Sequence, residues 1–462
     1  MTSARRLEWN FALQHAVDHA IRWRKPLVIL EALRCDYPHA NDRLHQFVLD
    51  GMVVNRQRAA RSNALYFPYV EPKRGDGSKL LPTLASNACI VVTDWYPAFF
   101  LPRMIEAAGR KLDVRLEAID SNGLIPLAAH GKAFAAARFY RAFVQRELRN
   151  HLTDVPEEAP LQRLRGMPSL RSLPPSIARR WRPATTRVLT GGVKALAALP
   201  IDHAVAPAPA RGGSVEGAKA LRRFVDEKLA RYDEARNHPD EDATSRLSPY
   251  LHFGHISAHE VFAAVMTRER WTTRRLAKTG GGRREGWWGV AGGAEGFLDQ
   301  LVIWRELAFN TCEYVANYAD YESLPEWSRK TLAAHRHDRR PHVYSLEQLE
   351  SADTADEIWN AAQRQLVAEG WFHGYLRMLW GKKILEWSKD PAEALAKMRS
   401  LMDRYSLDGR DPNSYAGYGW VLGRYDRPWP ERSIFGTVRY MSSGRARRKL
   451  NMKRFLDEYS KG

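Results

Sequence analysis

The sequence predicts an α/β domain built on a doubly wound parallel sheet, followed by an all-α domain. Three observations support this. Short β-rich runs alternate with helical periodicity within residues 1–150, which is the pattern of βαβ units. A proline- and arginine-rich stretch, residues 151–213, then interrupts the alternation. From residue 214 to 462 the legible elements are helices.

Four runs read as strands: Pro26-Leu27-Val28-Ile29-Leu30, Ala64-Leu65-Tyr66-Phe67, Cys89-Ile90-Val91-Val92-Thr93-Asp94 and residues 114–119. Helical patterns at about 9–23, 42–62 and 97–109 lie before and between them. In such sheets ligands sit beyond the carboxyl ends of the strands. The chain opens at Thr2-Ser3-Ala4-Arg5-Arg6, which reads as a first helix with no strand ahead of it. The sheet is therefore expected to lack its first member. Pro174-Pro175, Arg179-Arg180-Trp181-Arg182-Pro183 and the Ala-Pro run ending at Gly212-Gly213 have linker chemistry. A solvated interdomain connector outweighs a dedicated DNA arm. Helices follow at about 214–228 and 297–313, and two more lie within 357–390, joined by a turn at Gly370.

At 462 residues the chain is long enough for two or three domains with cores of their own. Lys plus Arg at 71 against Asp plus Glu at 53 gives 71 − 53 = +18, which favours a polyanionic partner, nucleic acid ahead of an acidic membrane surface. No apolar run is long enough to span a bilayer, and the basic N-terminus lacks the apolar core of a signal peptide. An intracellular, cytoplasmic protein is expected. Cys35, Cys89 and Cys312 are too few and too scattered for a disulfide framework or a zinc site. They read as buried thiols, and no metal is assigned.

Of 15 tryptophans, Trp359, Trp371, Trp380, Trp387 and Trp420 fall in one C-terminal stretch. Trp380 and Trp387 are seven residues apart, two helical turns, so they share a face about 10 Å apart along the axis. Such a stripe is most often core packing. The charged residues beside it change the balance: Arg377 lies on the same helix, and the loop Asp408-Gly409-Arg410-Asp411 follows. Buried charges need partners.

The order Ala362-Gln363-Arg364-Gln365-Leu366, Gly370-Trp371-Phe372-His373 and Arg377-Met378 resembles the flavin-binding domain of the photolyase and cryptochrome family. Asp408-Gly409-Arg410-Asp411-Pro412-Asn413 with Tyr415-Ala416-Gly417 is similar to the class II cyclobutane pyrimidine dimer photolyases in particular. The resemblance is strong from about residue 212 onward and weaker over residues 1–150. It implies an N-terminal antenna-type domain (1–150), the connector (151–213) and a helical FAD-binding catalytic domain (214–462).

The resemblance also implies FAD as cofactor. It implies repair by electron transfer from excited reduced FAD to a dimer flipped out of UV-damaged DNA, which is cheapest for a poorly paired lesion. Small hydroxyl residues ahead of a helix suit a diphosphate, though a plain helix cap reads equally well. Carried over by resemblance, Thr244, Ser245, Leu247 and Ser248 face the phosphates and Tyr232 lies beside the same cofactor. Arg377 pairs with Asp408 beside the isoalloxazine, with Met402, Asp411 and Asn413 nearby. Trp304 and Trp420 wall the dimer pocket, and Met378 lies between flavin and bases. Trp380, Trp359 and Trp387 relay electrons inward.

Two positions depart from the family. Gln300 stands where an acid is usual, so it can hydrogen-bond but supplies no proton or negative charge. Met402 stands where class II enzymes carry asparagine. Arg236 aligns with a substrate-side arginine, and Arg246, Arg427, Arg439, Arg447 and Arg448 are candidates for DNA phosphates. The protein is expected to be a monomer. A second, antenna chromophore is not assigned. The rival readings are a cryptochrome-like photoreceptor that keeps FAD and DNA binding with little or no repair, and a nucleic-acid binder without flavin.

Overall fold

A computed structural model describes residues 1–460. The chain forms two compact units and passes between them several times. The first comprises Met1–Leu127, Asn150–Arg222 and Arg246–Ala264, and the second Ala128–Arg149, Arg223–Ser245 and Val265–Gly462.

The first unit runs α1 (Phe11–Trp23), β1 (Val28–Leu33), α2 (Asp42–Ala59), β2 (Leu65–Val70), α3 (Leu80–Ala85), β3 (Val91–Trp95), α4 (Leu101–Gly109) and β4 (Leu116–Asp120). The four strands occur where the β-rich runs predict them. Asn10 caps α1 by accepting from the Leu13 amide, and Asn41 caps α2 through Leu44, which fixes both helix starts. β1 pairs in parallel with β2, Val28 opposite Leu65, and β3 with β4, Val91 opposite Leu116. Each pair is joined through a crossover that contains a helix, as parallel pairing requires.

The two strand pairs do not merge into one ladder. Residues 1–4 reach toward both. The Met1 amine donates to the Leu30 carbonyl of β1 at 2.8 Å. The Thr2 and Ala4 amides donate to the Asp94 carboxylate of β3 at 2.9 and 3.0 Å, joined by the Ser3 amide and hydroxyl. Residues 2–6, expected as helix, are therefore irregular, because their amides serve a buried carboxylate instead of a helical ladder. Burial alone would push the Asp94 carboxyl up. The Met1 ammonium and the Ser3 and Thr2 donors outweigh it and hold Asp94 well below the usual carboxylate range. Glu31 in β1 is also buried, and is matched by Arg5 at 3.2 Å, Asn55 at 2.9 Å and the Tyr66 hydroxyl at 2.6 Å.

The predicted connector is not a solvated strap. Leu161 and Leu164 join the core around Leu13, Val17 and Ile29. Leu189, Leu196 and Leu199 pack with Val48 and Met52, and Leu173, Ile177 and Trp181 with Phe67 and Tyr69. Its prolines and arginines suggest a linker, but its spaced leucines find apolar surface to cover, and that burial outweighs the backbone's preference for water.

In the second unit, Gly292–Leu298 continues through a widened π-helical turn, Asp299–Trp304, into Arg305–Tyr314. Such turns often mark functional positions. Glu357–Glu369 starts on the Asp356 cap and ends at Gly370, whose φ of +68° explains that glycine. Gly374–Trp387, Pro391–Tyr405 and Pro412–Val421 follow. The last two begin with the same Asp-Pro chemistry: Asp390 and Asp411 cap, and Pro391 and Pro412 take the first turn, where no N–H is needed. Among the described residues no helix is long and apolar enough to cross a membrane, and the three cysteines are free.

Candidate functional site

Trp380 and Trp359 lie parallel, ring centroids 6.1 Å apart and planes 3° from coplanar. Trp387 meets Trp359 edge-on at 5.6 Å. All three are buried. The Trp380 indole donates to Gln363 Oε1 at 2.9 Å, and that of Trp359 to the Trp380 carbonyl at 3.1 Å. These bonds fix ring positions that apolar packing alone would leave looser. The row then continues to the surface. Tyr344 meets Trp387 edge-on at 5.1 Å, and exposed His342 stacks on Tyr344.

One turn before Trp380, Arg377 Nη2 donates to both oxygens of Asp408 at 3.1 and 3.3 Å. The Ser406 hydroxyl also donates to Asp408, at 2.6 Å, and the guanidinium lies over the Phe372 ring. Arg377 Nε is buried with no hydrogen-bond partner, as are Gln363 Nε2 and Arg236 Nε. Spare buried donors are uncommon, and a ligand rich in acceptors would satisfy them.

The loop before the Pro412–Val421 helix is closely fitted. A Cβ at Gly409 would lie 2.2 Å from the Met402 carbonyl oxygen, so only glycine allows that approach. Met402 itself is fully buried. Asp411 Oδ1 accepts from the Asn413 amide at 2.8 Å and from its side chain at 2.6 Å, so both are committed to the helix start. Next to Met402, burial pushes the Asp403 carboxyl up to about 7, against the opposing pull of Arg410 and Arg399.

Met378 and Trp420 share the seam between Gly374–Trp387 and Pro412–Val421. A Cβ on Gly417 would touch Met378 Cε at 3.5 Å, and Lys382 Nζ lies 4.9 Å from the Trp420 ring centroid. Lys382 is fully buried, donates to the Val421 carbonyl at 2.6 Å, and is pushed down to about 7 by burial. Trp304 stands edge-on to Tyr425 at 6.4 Å. Its indole donates to Asp299, which also accepts from Arg141 Nε and Nη2 at 2.9 and 2.8 Å. Asp299, the acid beside Gln300, is thus fully engaged, while Gln300 is half-buried in the π-helical turn.

Tyr232 is buried with the Arg236 guanidinium over its ring at 5.5 Å, and burial raises its hydroxyl pKa. The predicted phosphate segment divides at the unit boundary: Thr244 and Ser245 close a segment of the second unit, and Arg246, Leu247 and Ser248 open one of the first. The helix there is short, Ser248–His252, with Leu247 at the cap position, so the expected hydroxyl cap is not made. Among the arginines proposed for DNA, Arg439 is held by Asp426 at 2.8 Å and lies over Trp429, and Arg447 is paired with Glu357. Arg427 and Arg448 are exposed, Arg427 over the Trp429 ring.

No protein-family model matches the chain. It is 34% identical over 460 residues to a deoxyribodipyrimidine photo-lyase of Methanothermobacter thermautotrophicus, covering 99% of this chain and 93% of that protein. The chain belongs to the deoxyribodipyrimidine photo-lyase family. The photo-lyase of Arabidopsis thaliana is 32% identical over 464 residues, 98% of this chain and 86% of that one. Two solved photolyases share the fold across 99% of the chain. A bacterial class III photolyase from Agrobacterium tumefaciens has TM-score 0.68 at 16% identity, with 85% of its chain covered. An archaeal photolyase from Sulfolobus tokodaii, solved with two FAD molecules, has TM-score 0.64 at 17% identity, with 88% of its chain covered.

Within this photo-lyase, three residues were missed by reading the sequence. Lys382 lies on the Arg377 helix and Asp403 follows Met402, and Tyr344 lies before the tryptophan-bearing helices. Lys382 and Asp403 left a signal, the first standing one turn after Met378 and the second next to Met402.

Proposed function

We propose that this photo-lyase is a class II type enzyme that opens cyclobutane pyrimidine dimers in UV-damaged DNA, as a monomer inside the cell, with FAD as its cofactor. The stacked Trp380–Trp359 pair, one turn from the Arg377–Asp408 ion pair, supports this reading most directly. Bound reduced FAD would supply the photoexcited electron donor for ring opening.

The residues present fit that group. Arg377 Nε and Gln363 Nε2 are buried donors with hydrogen-bonding capacity to spare. Tyr232, Asp408, Asp411, Asn413 and Met402 would hold the cofactor with them, and Thr244, Ser245, Leu247 and Ser248 its phosphates. Arg377 contributes positive charge that favours an anionic ring. Trp380, Trp359 and Trp387 form a continuous row of rings for bringing in electrons. Trp304, Trp420 and Met378 bound the space for the bases, and Gln300 offers them hydrogen bonds without a proton. Arg236 and Arg246 are candidate DNA contacts, and Arg427 and Arg448, with no carboxylate to displace, are the readiest phosphate contacts. Arg439 and Arg447 must first give up Asp426 and Glu357.

The test is illumination of the purified, reduced protein with a dimer-containing oligonucleotide, following recovery of base absorbance. Recovery is expected. Flavin photochemistry without recovery overturns the reading in favour of a photoreceptor. Trp380→Phe is expected to abolish photoreduction with flavin still bound; unchanged photoreduction would remove Trp380 from the relay.

A further inference from the structure

The first unit carries a side-chain cluster that the photochemistry does not use. His15 and His19 lie one turn apart on α1 and meet Glu117 of β4. His15 Nε2 is 2.5 Å and His19 Nε2 3.0 Å from the same oxygen, Glu117 Oε2, and the two ring nitrogens are 3.1 Å apart. We propose that His15, His19 and Glu117 form a binding site for one divalent transition-metal ion of the zinc class, clamping α1 to β4.

The geometry favours a cation over a hydrogen-bond network. If both imidazoles direct N–H groups at Oε2, two donors crowd together; if one is deprotonated there, its lone pair faces a carboxylate. A metal ion replaces both protons and satisfies all three atoms at once. Two imidazole nitrogens and one carboxylate oxygen are a zinc-type set with a fourth position open to water. Ligands around tetrahedral zinc stand about 3.3 Å apart at bond lengths of about 2.0 Å, so the cluster needs to open by less than about 1 Å.

The surroundings orient the set. The Arg115 guanidinium holds the other oxygen of Glu117 at 2.7 Å, which keeps Oε2 turned to the histidines. Trp23 stacks on His19, centroids 4.6 Å apart, and fixes that ring. Neighbours of this kind tune metal ligands. Two histidines four apart on one helix face match the spacing of zinc-binding helices. Ala16 stands where the hydrolytic versions carry their glutamate base, and Asp18 is held by Arg163 at 2.7 Å, so the role assigned is structural. The sequence gives little warning, because Glu117 lies 98 residues from His19 and a metal search from cysteines passes over it.

The test titrates flavin-loaded, full-length protein with Zn2+ against a chromogenic chelator. One equivalent is expected at micromolar affinity or tighter, weakened at least about tenfold by His19→Ala or Glu117→Gln. Zn2+ should raise the melting temperature of the wild type and not of the His15→Ala/His19→Ala double variant. Cu2+ bound to the wild type should show two coordinated nitrogens by electron paramagnetic resonance, a result that depends on no variant folding. Absence of zinc binding in the micromolar range, affinity unchanged by the substitutions, or a copper signal without two nitrogen ligands overturns the proposal.

Discussion

Two buried arginine–aspartate pairs of the second unit are handled differently. Asp299 accepts two bonds from Arg141 on one oxygen and the Trp304 indole on the other. Asp408 is met by a single nitrogen of Arg377 and by the Ser406 hydroxyl, while Arg377 Nε has no partner. A pair whose guanidinium turns both Nε and Nη2 onto its acid is architectural. A pair with a donor to spare has capacity for something the chain itself does not provide. Asp403 adds a third case: it is buried, its Oδ1 has no partner, and its carboxyl is pushed up to about 7. Pairing decides whether a buried acid stays charged.

The largest expected effect comes from the saturated pair. Asp299→Ala strands Arg141 and the Trp304 indole, and should lower the unfolding free energy by about 3–5 kcal/mol with or without flavin. Denaturant unfolding measures it, and a loss below about 1 kcal/mol would show that the pair is not saturated in solution.

Asp403 comes next. Its pKa lies near 7 in the folded protein against an ordinary 3.8, so across that window the folded state holds a proton that the unfolded chain has released. Stability is expected to fall as pH rises from about 4 to about 7, by up to about 4 kcal/mol, and to add no further slope above. Asp403→Asn should flatten this part of the profile; an unchanged slope assigns it to other groups.

The smallest stability effect belongs to the half-used pair. Asp408→Asn keeps the shape and one acceptor, so a loss of about 1–3 kcal/mol is expected. Flavin content after purification should fall much further than that loss explains. Equal falls in stability and flavin content would make Arg377–Asp408 as purely architectural as Arg141–Asp299.

Much of the fold was legible because it rests on local patterns. Val28 to Leu33 and Val91 to Trp95 announce themselves by β-branched and aromatic runs, and the helix Glu357–Glu369 by its apolar period and the Gly370 break. The pairing of Arg377 with Asp408 could also be anticipated from a motif. Contacts between distant segments were not legible. The path of residues 2–6 depends on Asp94, some ninety residues on. The leucines of the proline-rich stretch bury only because a sheet and its helices are there to receive them.

The sequence by itself determined the order of helices and strands, the basic charge and the family, since propensity, caps and motifs act within a few residues. Tertiary structure alone decided that Arg141 and Trp304 meet Asp299, that Lys382 and Asp403 are buried, and that His15 and His19 meet Glu117. Burial and partnership depend on what the rest of the chain brings alongside, and no local pattern encodes that.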